Sequence, residues 1–509
     1  MSILHTYHSK LPFRNIKGKP SITVSAKGIS NGLSDTYNDG ADFGPDTLLN
    51  ATSPNQYGPP YTQTSGIQEA YNYGKIKYQN NSNMNGDFTI VLNEGVFLLN
   101  SDVNIVIGRS STDLFNPSAV DIVGQGRTKT AVIVNQVGLN GIVISTTSNT
   151  ATAVDNTTIQ NLYMGVGYGF SPPYGSPLTN NIAQYPTGSG ANSVLSYQLL
   201  GNGGQGTQLD LINVDIFSGN WNSGYGPTNG ALYVWGGINI NAFGSTFYGD
   251  RAVALIGSSN AGSGTSQYYD PFLTATFEGC FLSAGNGNQY ITGYLINIRG
   301  SNIEGNTNLN YNSSTTGLTT NMIIEGSTIW GQFDLTDATV NFIKLNDIHY
   351  MGPHGNVYDA IFGSASPVNV NQLEMKNISY FGNSYYGTFA NLVYNVNFSE
   401  YDIQGINNIN GNAIPLPTQS TTSGTTAGTV KMDAVTYRTS YKKYIITFSG
   451  YENDTATNQT INYPLPFSTS AVITGNNTGL TISTTTSGIT ITAPNSTTTY
   501  SGIVIVEGY

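Results

Sequence analysis

Arg299-Gly300-Ser301-Asn302-Ile303 and, further along, Glu325-Gly326-Ser327-Thr328-Ile329 are two copies of the five-residue pattern that decides the fold. The second position of this pattern tolerates a left-handed backbone. The third and fifth positions are small or apolar, as the alternation of an inward-facing strand requires. The pattern therefore predicts a corner that the chain passes repeatedly. Eight residues occupy its second position: Asn161, Asn213, Gly244, Gly279, Gly300, Gly326, Asp347 and Asn377.

The spacing of these corners is typical of a solenoid. After a wider early gap they recur every ~20 to 35 residues, which fits one coil plus variable loops. The strands between them are short and rich in β-branched residues, and no helical segments separate them, which argues against a βαβ architecture. A β-sandwich would supply short strands but not a repeated corner of one chemistry. We therefore predict an all-β protein, a right-handed parallel β-helix whose eight corner residues form one line.

Composition divides the chain into four segments. Residues 1–60 are rich in Gly, Pro, Asn and Asp and are expected to form an extended N-terminal arm. Residues 61–415 should form the β-helix with loop insertions, and 416–429, with Pro, Ser and Thr, a linker. Residues 430–509 contain alternating strands that predict an antiparallel β-sandwich. Ser65 and Gln68 are spaced as a capping box, so a short cap helix should begin there and stop at Gly74.

Charge and cysteine content exclude several classes of function. Only 9% of the 509 residues are charged, and the net charge is −11 without a basic run. Nucleic acid is therefore not an expected partner. Cys280 is the sole cysteine and the four histidines are scattered, so we expect no disulfide, metal or other cofactor. A surface built from Asn, Thr, Ser, Gly and Tyr is insensitive to pH and salt, which suits an extracellular location.

The first residues, Met1-Ser2-Ile3-Leu4-His5, do not begin an apolar secretion signal, and no segment is long enough to span a bilayer. We therefore expect no membrane insertion, and export by assembly into a virion. Asn-x-Ser/Thr sequons permit glycosylation in a suitable host. They lie at Asn50, Asn80, Asn156, Asn312, Asn377, Asn397, Asn453, Asn458, Asn476 and Asn495.

Two aromatic insertions are candidate glycan-binding loops. The first, Gly165–Ser176, carries Tyr168, Phe170 and Tyr174, and the second, Trp221–Pro227, carries Trp221 and Tyr225. Aromatic faces stack on sugar rings, and loops on a rigid scaffold commonly carry recognition. The alternative is that these aromatics pack the loops against the solenoid or another subunit.

The position before the corner holds Glu278, Arg299, Glu325, Asn346 and Lys376. These residues would stack on successive coils as a charge ladder, which we favour over a row of catalytic carboxylates. If the chain were an enzyme, the candidate catalytic residues would be Asp250, Arg251, Glu278, Arg299 and Glu325. No metal-ligand spacing accompanies them.

One segment resembles the start of the pectate-lyase-like β-helix superfamily. The resemblance covers residues 40–135 and rests on Ala41–Thr47, Gly66–Ala70, Asn93–Phe97 and Val123–Thr130. The superfamily has two prolines where this chain has Asn93-Glu94, and its acidic stretch usually lies nearer the helix. It includes polysaccharide lyases, hydrolases and viral tail spikes, so the resemblance implies a fold more than an activity.

The C-terminal segment, Ser440–Ile446 through Gly502–Tyr509, resembles the ends of viral tail fibres and spikes. The charge-poor, Tyr/Asn/Thr-rich composition also looks like surface proteins of hot-acid archaea and their viruses. These resemblances imply a virion-surface attachment protein that binds host-surface glycan or glycoprotein. They further imply a homotrimer that contacts other virion proteins through the N-terminal arm. A polysaccharide lyase or glycoside hydrolase and a structural cell-surface or filament protein remain the alternatives.

Overall fold

The structure is a computed structural model. It describes 18–29, 37, 39–79, 85–109, 115–135, 139–146, 154–166, 193–198, 207–218, 230–236, 239–249, 251–256, 273–284, 289–309, 319–352, 361–380, 393–408, 426–438, 441–453, 459–463, 467–492 and 500–509. The chain divides into two compact units, Met1–Gly293 and Tyr294–Tyr509. Within the described residues, no helix is long and apolar enough to cross a membrane.

The described residues of unit 1 form one helix and seventeen strands. They are β1 (Ser21–Val24), α1 (Ile67–Tyr78), β2 (Phe88–Leu92), β3 (Gly95–Leu99), β4 (Val103–Ile107), β5 (Val120–Val123), β6 (Thr130–Val134), β7 (Ile142–Thr146), β8 (Thr157–Val166), β9 (Leu195–Gln198), β10 (Gln208–Phe217), β11 (Leu232–Trp235), β12 (Asn239–Phe243), β13 (Thr246–Gly249), β14 (Val253–Ile256), β15 (Thr274–Glu278), β16 (Phe281–Ala284) and β17 (Gln289–Thr292).

These strands build three parallel sheets that the chain visits in turn. β2, β5, β12 and β15 belong to the first sheet, β3, β6, β13 and β16 to the second, and β4, β7, β9, β11, β14 and β17 to the third. β8 and β10 each pass from the first sheet to the second through a corner. Such repeated parallel pairing is the architecture of a parallel β-helix.

Alternation along each strand creates the core. In the third sheet, Ile142, Leu195 and Leu232 pair in register, and each is fully buried. Their neighbours one residue along the strand point outward, because successive side chains in a strand face opposite sides. Burying one such aliphatic side chain contributes about 1.5–3 kcal/mol. The stacked inward positions therefore stabilise each coil through the coils beside it.

The eight predicted corner residues share one backbone conformation. Their φ angles lie between 53° and 62°, which is the left-handed region that the repeat alignment requires. Asn and Asp side chains at these corners also bond to one another. Asn213 donates to Asn161 at 2.9 Å in unit 1, and Asn377 donates to Asp347 at 2.9 Å in unit 2. The single line through all eight stays a prediction.

The residue after the corner explains the small third position of the repeat. Ser245 Oγ donates to the carbonyl of Phe243 at 3.1 Å, and Ser327 Oγ donates to that of Glu325 at 2.9 Å. Cys280 occupies the same position, and its Sγ lies 3.3 Å from the carbonyl of Ala242. These side chains add a hydrogen bond to carbonyls at the corner, and the carbonyl of Glu325 also accepts the backbone N–H of Gly300 at 3.0 Å.

Helix α1 forms near the predicted place, but its predicted ends were wrong. Its N-cap is Gly66, which makes no side-chain capping bond, so Ser65 and Gln68 form no capping box. Ser65 Oγ instead bonds the backbone of Leu98 in β3. The helix continues to Tyr78 through Gly74, where a Cβ would lie 2.7 Å from Ile22 Cδ1. Tertiary contacts with the first coil, and not the local capping and stop residues, therefore determine where the helix ends.

The start of the helix is organised by a buried carboxylate. Glu69 is 2% exposed and accepts hydrogen bonds from the hydroxyls of Thr62 at 2.6 Å and Thr64 at 3.2 Å. The backbone N–H of Asn50 also donates to it, at 3.3 Å. An acidic side chain is also favoured in the first turn of a helix by the helix dipole.

Part of the predicted N-terminal arm belongs to the sheet. β1 pairs in parallel with β2, from Ser21 opposite Thr89 to Val24 opposite Leu92. The Asp-rich stretch fastens this strand, because Asp42 accepts hydrogen bonds from both the backbone and the hydroxyl of Thr23. The strand-like run within residues 1–60 is thus the first strand of the coil stack.

Sixteen strands occur in the parts of unit 2 that the structure describes. They are β18 (Leu295–Arg299), β19 (Asn302–Glu304), β20 (Thr307–Asn308), β21 (Thr319–Glu325), β22 (Thr328–Trp330), β23 (Phe333–Asp334), β24 (Thr339–Gly352), β25 (Phe362–Tyr380), β26 (Val393–Asn408), β27 (Thr426–Arg438), β28 (Tyr441–Asn453), β29 (Gln459–Asn462), β30 (Ala471–Asn476), β31 (Ile482–Thr484), β32 (Gly488–Ile491) and β33 (Tyr500–Gly508).

The pairing changes from parallel to antiparallel within this unit. β24, β25 and β26 stack in parallel, and β27 then adds to β26 in the antiparallel direction. β27 begins at Thr426, inside the predicted linker 416–429, so the last four residues of that segment are strand. Continuous backbone pairing therefore joins the C-terminal strands to the last parallel coil.

The C-terminal strands form two antiparallel sheets. β27, β28, β33 and β30 make one, and β29, β32 and β31 make the other. Tyr444 stacks on Tyr463 with ring centroids 4.7 Å apart, and Phe467 packs edge-on against both rings. All three rings are buried. An aromatic core between two antiparallel sheets fits the predicted sandwich.

Candidate functional site

The five predicted glycan-binding residues, Tyr168, Phe170, Tyr174, Trp221 and Tyr225, lie outside the described residues. The strands that follow the two insertions are described. β9 begins at Leu195 and β11 at Leu232, and these two residues pair in register on the third sheet of unit 1. The two insertions therefore lead into neighbouring strands of one sheet.

The outer side of this third sheet carries aromatic side chains. In β11, Leu232 and Val234 point inward and are fully buried, so Tyr233 and Trp235 lie on the outer side of the sheet, where Tyr233 is nevertheless only 9% exposed. Their ring centroids are 6.4 Å apart, and Trp235 is half-buried. The run Leu232–Trp235 contains the signal that sequence reasoning missed, because aromatic and aliphatic residues alternate with a period of two.

The register continues this arrangement across the sheet. Tyr233 pairs with Ala254, and Ala254 pairs with Tyr290, so a small residue separates two tyrosines. The guanidinium carbon of Arg251 lies 4.6 Å from the centroid of the Tyr290 ring. A cation in this position is attracted to the ring face. We call Tyr233, Trp235, Tyr290 and Arg251 the aromatic face.

Polar groups border the aromatic face. Gln198, which pairs with Trp235, donates a hydrogen bond to Ser196 Oγ at 2.6 Å, and Ser196 pairs with Tyr233. Because Ser196 is only 1% exposed, the guanidinium of Arg251 and the amide of Gln198 are the polar groups beside the rings. That combination suits a ligand with flat apolar faces and hydroxyl edges, as sugars have.

The candidate catalytic residues are divided between the two units. Asp250 lies outside the described residues, Arg251 belongs to the aromatic face, and Glu278 pairs with Phe243 in the first sheet of unit 1. In unit 2, Arg299 and Glu325 form an ion pair at 3.4 Å. Glu325 is also bound by Lys344 at 3.3 Å, so two cations neutralise one carboxylate.

The position before the corner forms a stacked column in unit 2. Arg299 pairs with Glu325, Glu325 with Asn346, and Asn346 with Lys376. Lys376 also binds Glu374 at 3.0 Å, and hydrogen bonding to that carboxylate raises the pKa of Lys376. Because these side chains are partly exposed, each pair contributes no more than about 1 kcal/mol. This geometry suits a stabilising charge ladder.

A buried acidic pair in unit 1 was missed by sequence reasoning. Lys19 Nζ lies 2.9 Å from Asp121 Oδ2 and 3.9 Å from Asp87 Oδ2. Asp87 also accepts the backbone N–H of Ala119 at 2.7 Å. Burial raises the pKa of Asp87 to about 7, with Lys19 opposing and Asp155 and Asp121 adding to the rise. Residues 19, 87 and 121 are far apart in sequence, and only the register brings them together.

In the described parts of the chain, no three His, Cys, Asp or Glu side chains are grouped so as to hold a metal ion. Burial raises the pKa of the Cys280 thiol to about 11. The thiolate is the nucleophilic form of cysteine, so this residue is unreactive at neutral pH and acts as a packing group.

Several solved structures are similar to this chain at low identity. One is ORF18 of Geobacillus virus E2, at 12% identity and a TM-score of 0.39, covering 86% of this chain and 75% of that one. Another is the tailspike protein gp49 from Acinetobacter baumannii bacteriophage Fri1, a capsular polysaccharide depolymerase, at 12% identity and a TM-score of 0.28, covering 85% and 81%.

Pectin methylesterase PemA from Erwinia chrysanthemi is similar at 11% identity and a TM-score of 0.21, covering 58% of this chain and 72% of that one. No protein-family profile and no curated sequence match the chain. Identities and TM-scores this low carry no information about activity.

Proposed function

We propose that this chain is a virion-surface attachment protein that binds glycan or glycoprotein on the host surface, and that the aromatic face is its binding site. The observation that carries the proposal is the outward placement of the partly exposed Trp235 and Tyr290, with Arg251 over the Tyr290 ring and the nearly buried Tyr233 packed beside Trp235. A rigid parallel sheet holds these groups at fixed spacing, which lowers the entropy lost when a ligand binds.

The carboxylates favour a binding protein over an enzyme. A glycoside hydrolase needs two carboxyl groups, about 5–10 Å apart, that reach the substrate. Glu325 is held between Arg299 and Lys344, and Asp87 and Asp121 are 5% and 3% exposed. Asp87 and Asp121 are thus poorly accessible to a polysaccharide, and Glu325, whose side chain is 30% exposed, is engaged by two cations.

One observation favours the enzyme alternative, a polysaccharide hydrolase or lyase. Asp87, whose pKa is about 7, lies beside Asp121, and Lys19 bridges them. A carboxyl group with a raised pKa next to a second carboxylate is the arrangement of an acid and its partner in glycosidases, but both side chains here are at most 5% exposed. In that case, Asp87→Asn would abolish release of new reducing ends.

The first experiment measures retention of the protein on immobilised host-envelope polysaccharide while new reducing ends and unsaturated uronates are assayed in solution. We expect retention without product release. Trp235→Ala and Tyr290→Ala should each weaken binding about tenfold, or 1.4 kcal/mol. The matched control is Tyr248→Ala, which removes a ring stacked 5.1 Å from Phe217 on the second sheet. If all three variants bound the polysaccharide equally well, the aromatic face would be excluded as the binding site.

The second experiment locates the protein. Immunogold labelling should mark virions. There we expect the N-terminal segment, residues 1–60, to contact other virion proteins. Label confined to the cell envelope or to filaments would instead support the structural alternative.

A further inference from the structure

Four polar side chains form a rectangle on the outer side of one parallel sheet of unit 2. β20 pairs with β23, with Thr307 opposite Phe333 and Asn308 opposite Asp334. Thr307 and Phe333 point into the core, and each is 1% exposed. The residues on either side of them therefore point outward, because successive side chains of a strand face opposite sides. We call these four outward residues, Asn306, Asn308, Gln332 and Asp334, the amide cluster.

The amides of this cluster are buried without hydrogen bonds. Oδ1 of Asn306, Oδ1 of Asn308 and Nε2 of Gln332 have no hydrogen-bond partner in the part of the chain that the structure describes. Gln332 is only 2% exposed. A buried amide that makes no hydrogen bond destabilises the folded chain, so such groups are rare in proteins. Three of them side by side indicate that the cluster binds a ligand that satisfies them.

The backbone around the amide cluster brings the two coils close together. At the preceding corner, a Cβ on Gly331 would collide with the carbonyl oxygen of Gly305. On the next coil, Ile361 lies in the same outward column and is fully buried. Gly363, which pairs with Asp334, contributes no side chain to the outer surface. The cluster is therefore compact, and on this side it borders only an apolar side chain and a glycine.

Asp334 gives the amide cluster one negative charge. Its Oδ1 accepts hydrogen bonds from the backbone N–H of Thr336 at 2.9 Å and from the hydroxyl of the same residue at 2.6 Å. The ion pairs between described residues of unit 2 involve other carboxylates, those of Glu325, Glu374 and Glu507. The charge of Asp334 is therefore not neutralised by a described side chain, and a cation bound in the cluster would balance it.

The chemistry of these four groups suits a calcium ion. Amide and carboxylate oxygens bind Ca²⁺ at about 2.3–2.6 Å. Alternate residues of a strand lie about 6.6 Å apart and neighbouring strands about 4.8 Å apart, so an ion at the centre of the rectangle is within reach of all four side chains. A half-turn of the Gln332 amide exchanges its nitrogen and oxygen and directs the oxygen to the ion. Mg²⁺ fits less well, because it requires near-octahedral geometry and retains water.

The composition of the amide cluster explains why it carries no familiar signature. Only Asp334 belongs to the set of His, Cys, Asp and Glu residues, so the cluster is not one of the groups of three such residues that the described chain lacks. A sugar is a poor alternative ligand, because Gln332, at 2% exposed, offers no open approach to a bulky molecule. A small ion is the ligand that satisfies both the burial and the charge.

We propose that the amide cluster binds a calcium ion that joins two consecutive coils of unit 2. β20 and β23, each with the residue before it, supply two ligands, so the ion holds the two strands together. Because the cluster contains a single carboxylate, we expect a dissociation constant of about 10⁻⁴–10⁻³ M, the range of extracellular calcium modules. The proposal is independent of what the aromatic face binds.

Thermal unfolding and titration calorimetry of the full chain, freed of metal with EDTA, test this proposal. Calcium chloride at about 10 mM should raise the unfolding temperature by about 2 °C or more, and magnesium chloride should raise it less. Asp334→Asn should weaken calcium binding at least about tenfold and remove the temperature shift. The matched control is Asp337→Asn, because Asp337 is exposed three residues away and its φ of 58° is one that asparagine adopts.

A second variant, Asn308→Leu, separates ion binding from folding. It replaces an unsatisfied amide with an apolar group of similar size, so in EDTA it should be no less stable than the wild type. Calcium should nevertheless fail to stabilise it. Three results would overturn the proposal: a wild-type protein that does not respond to calcium, as expected if the cluster binds only water, an equal response to magnesium, or a calcium response that survives in both variants of the cluster.

Discussion

At the scale of single residues, the corner positions allow the effect of backbone conformation on stability to be measured separately from the effect of packing. A Cβ at Gly300 would meet no atom within 4 Å, so only the positive φ of 53° opposes a side chain there. We expect Gly300→Asn to leave the free energy of unfolding nearly unchanged, because Asn161 and Asn377 already adopt this backbone. Gly300→Val should lower it by about 1–2 kcal/mol. Denaturant unfolding measures both, and equal losses would argue against the conformational explanation.

Asp87 should make stability depend on pH. Its pKa is about 7 in the folded protein, against 3.8 ordinarily, so the folded state binds its proton more tightly than the unfolded state does. The contribution of this residue to stability is therefore present in acid and is lost as the pH rises through 7. Lys19, Asp121 and Asp155 are the charged groups that face it.

The test compares wild type with Asp87→Asn between pH 7 and pH 5. Stability of the wild type relative to the variant should rise on acidification, by on the order of 2 kcal/mol. The variant keeps an oxygen to accept the N–H of Ala119. A difference that stays constant across this range would contradict the raised pKa.

The sequence predicts the corners well and the interior polar contacts poorly. Glycine, asparagine and aspartate indicate a left-handed backbone locally, so each corner could be predicted from a pattern of five residues. Asp87, Asp121 and Lys19 carry no such local mark, since their proximity depends on which strands pair. Tyr233 is an intermediate case, because its outward direction follows from alternation but its alignment with Tyr290 across Ala254 follows from the register.

At the scale of elements, α1 shows why local signals mislocated the ends of the helix. Gly74 resembles a stop signal but is required for close approach, since a Cβ there would collide with Phe88 and lie 2.7 Å from Ile22. Ser65 resembles a cap but bonds Leu98 on a strand. Both residues serve the contact between the helix and the first coil, which a sequence window does not contain.

Gly74→Ala tests this interpretation. Alanine has the higher helix propensity and should stabilise a free helix by about 0.5–1 kcal/mol. Against the first coil, overpacking should instead destabilise the protein by about 1–3 kcal/mol. Lys75→Ala is the matched control, because Lys75 is a half-buried neighbour in the same helix. Thermal unfolding distinguishes a stabilising from a destabilising effect of Gly74→Ala. A variant more stable than wild type would contradict the packing explanation and favour Gly74 as a helix stop signal.

At the scale of the whole molecule, we predict a homotrimer. Light scattering should give three times the chain mass of 54.2 kDa, and a monodisperse monomer at micromolar concentration would refute the trimer. A trimer presents three copies of each weak glycan site, which can raise avidity on a dense surface by ~10².

The left-handed corners also set the unit by which the length of this chain can change during evolution, which is one whole coil. Gly300 and Gly326 occupy equivalent places one coil apart, so excision of residues 300–325 joins Arg299 to Gly326 and returns every later side chain to its original side. Excision of one residue more or fewer would turn an inward strand outward. Insertions of arbitrary size are tolerable between strands, whereas the coils themselves are gained or lost whole.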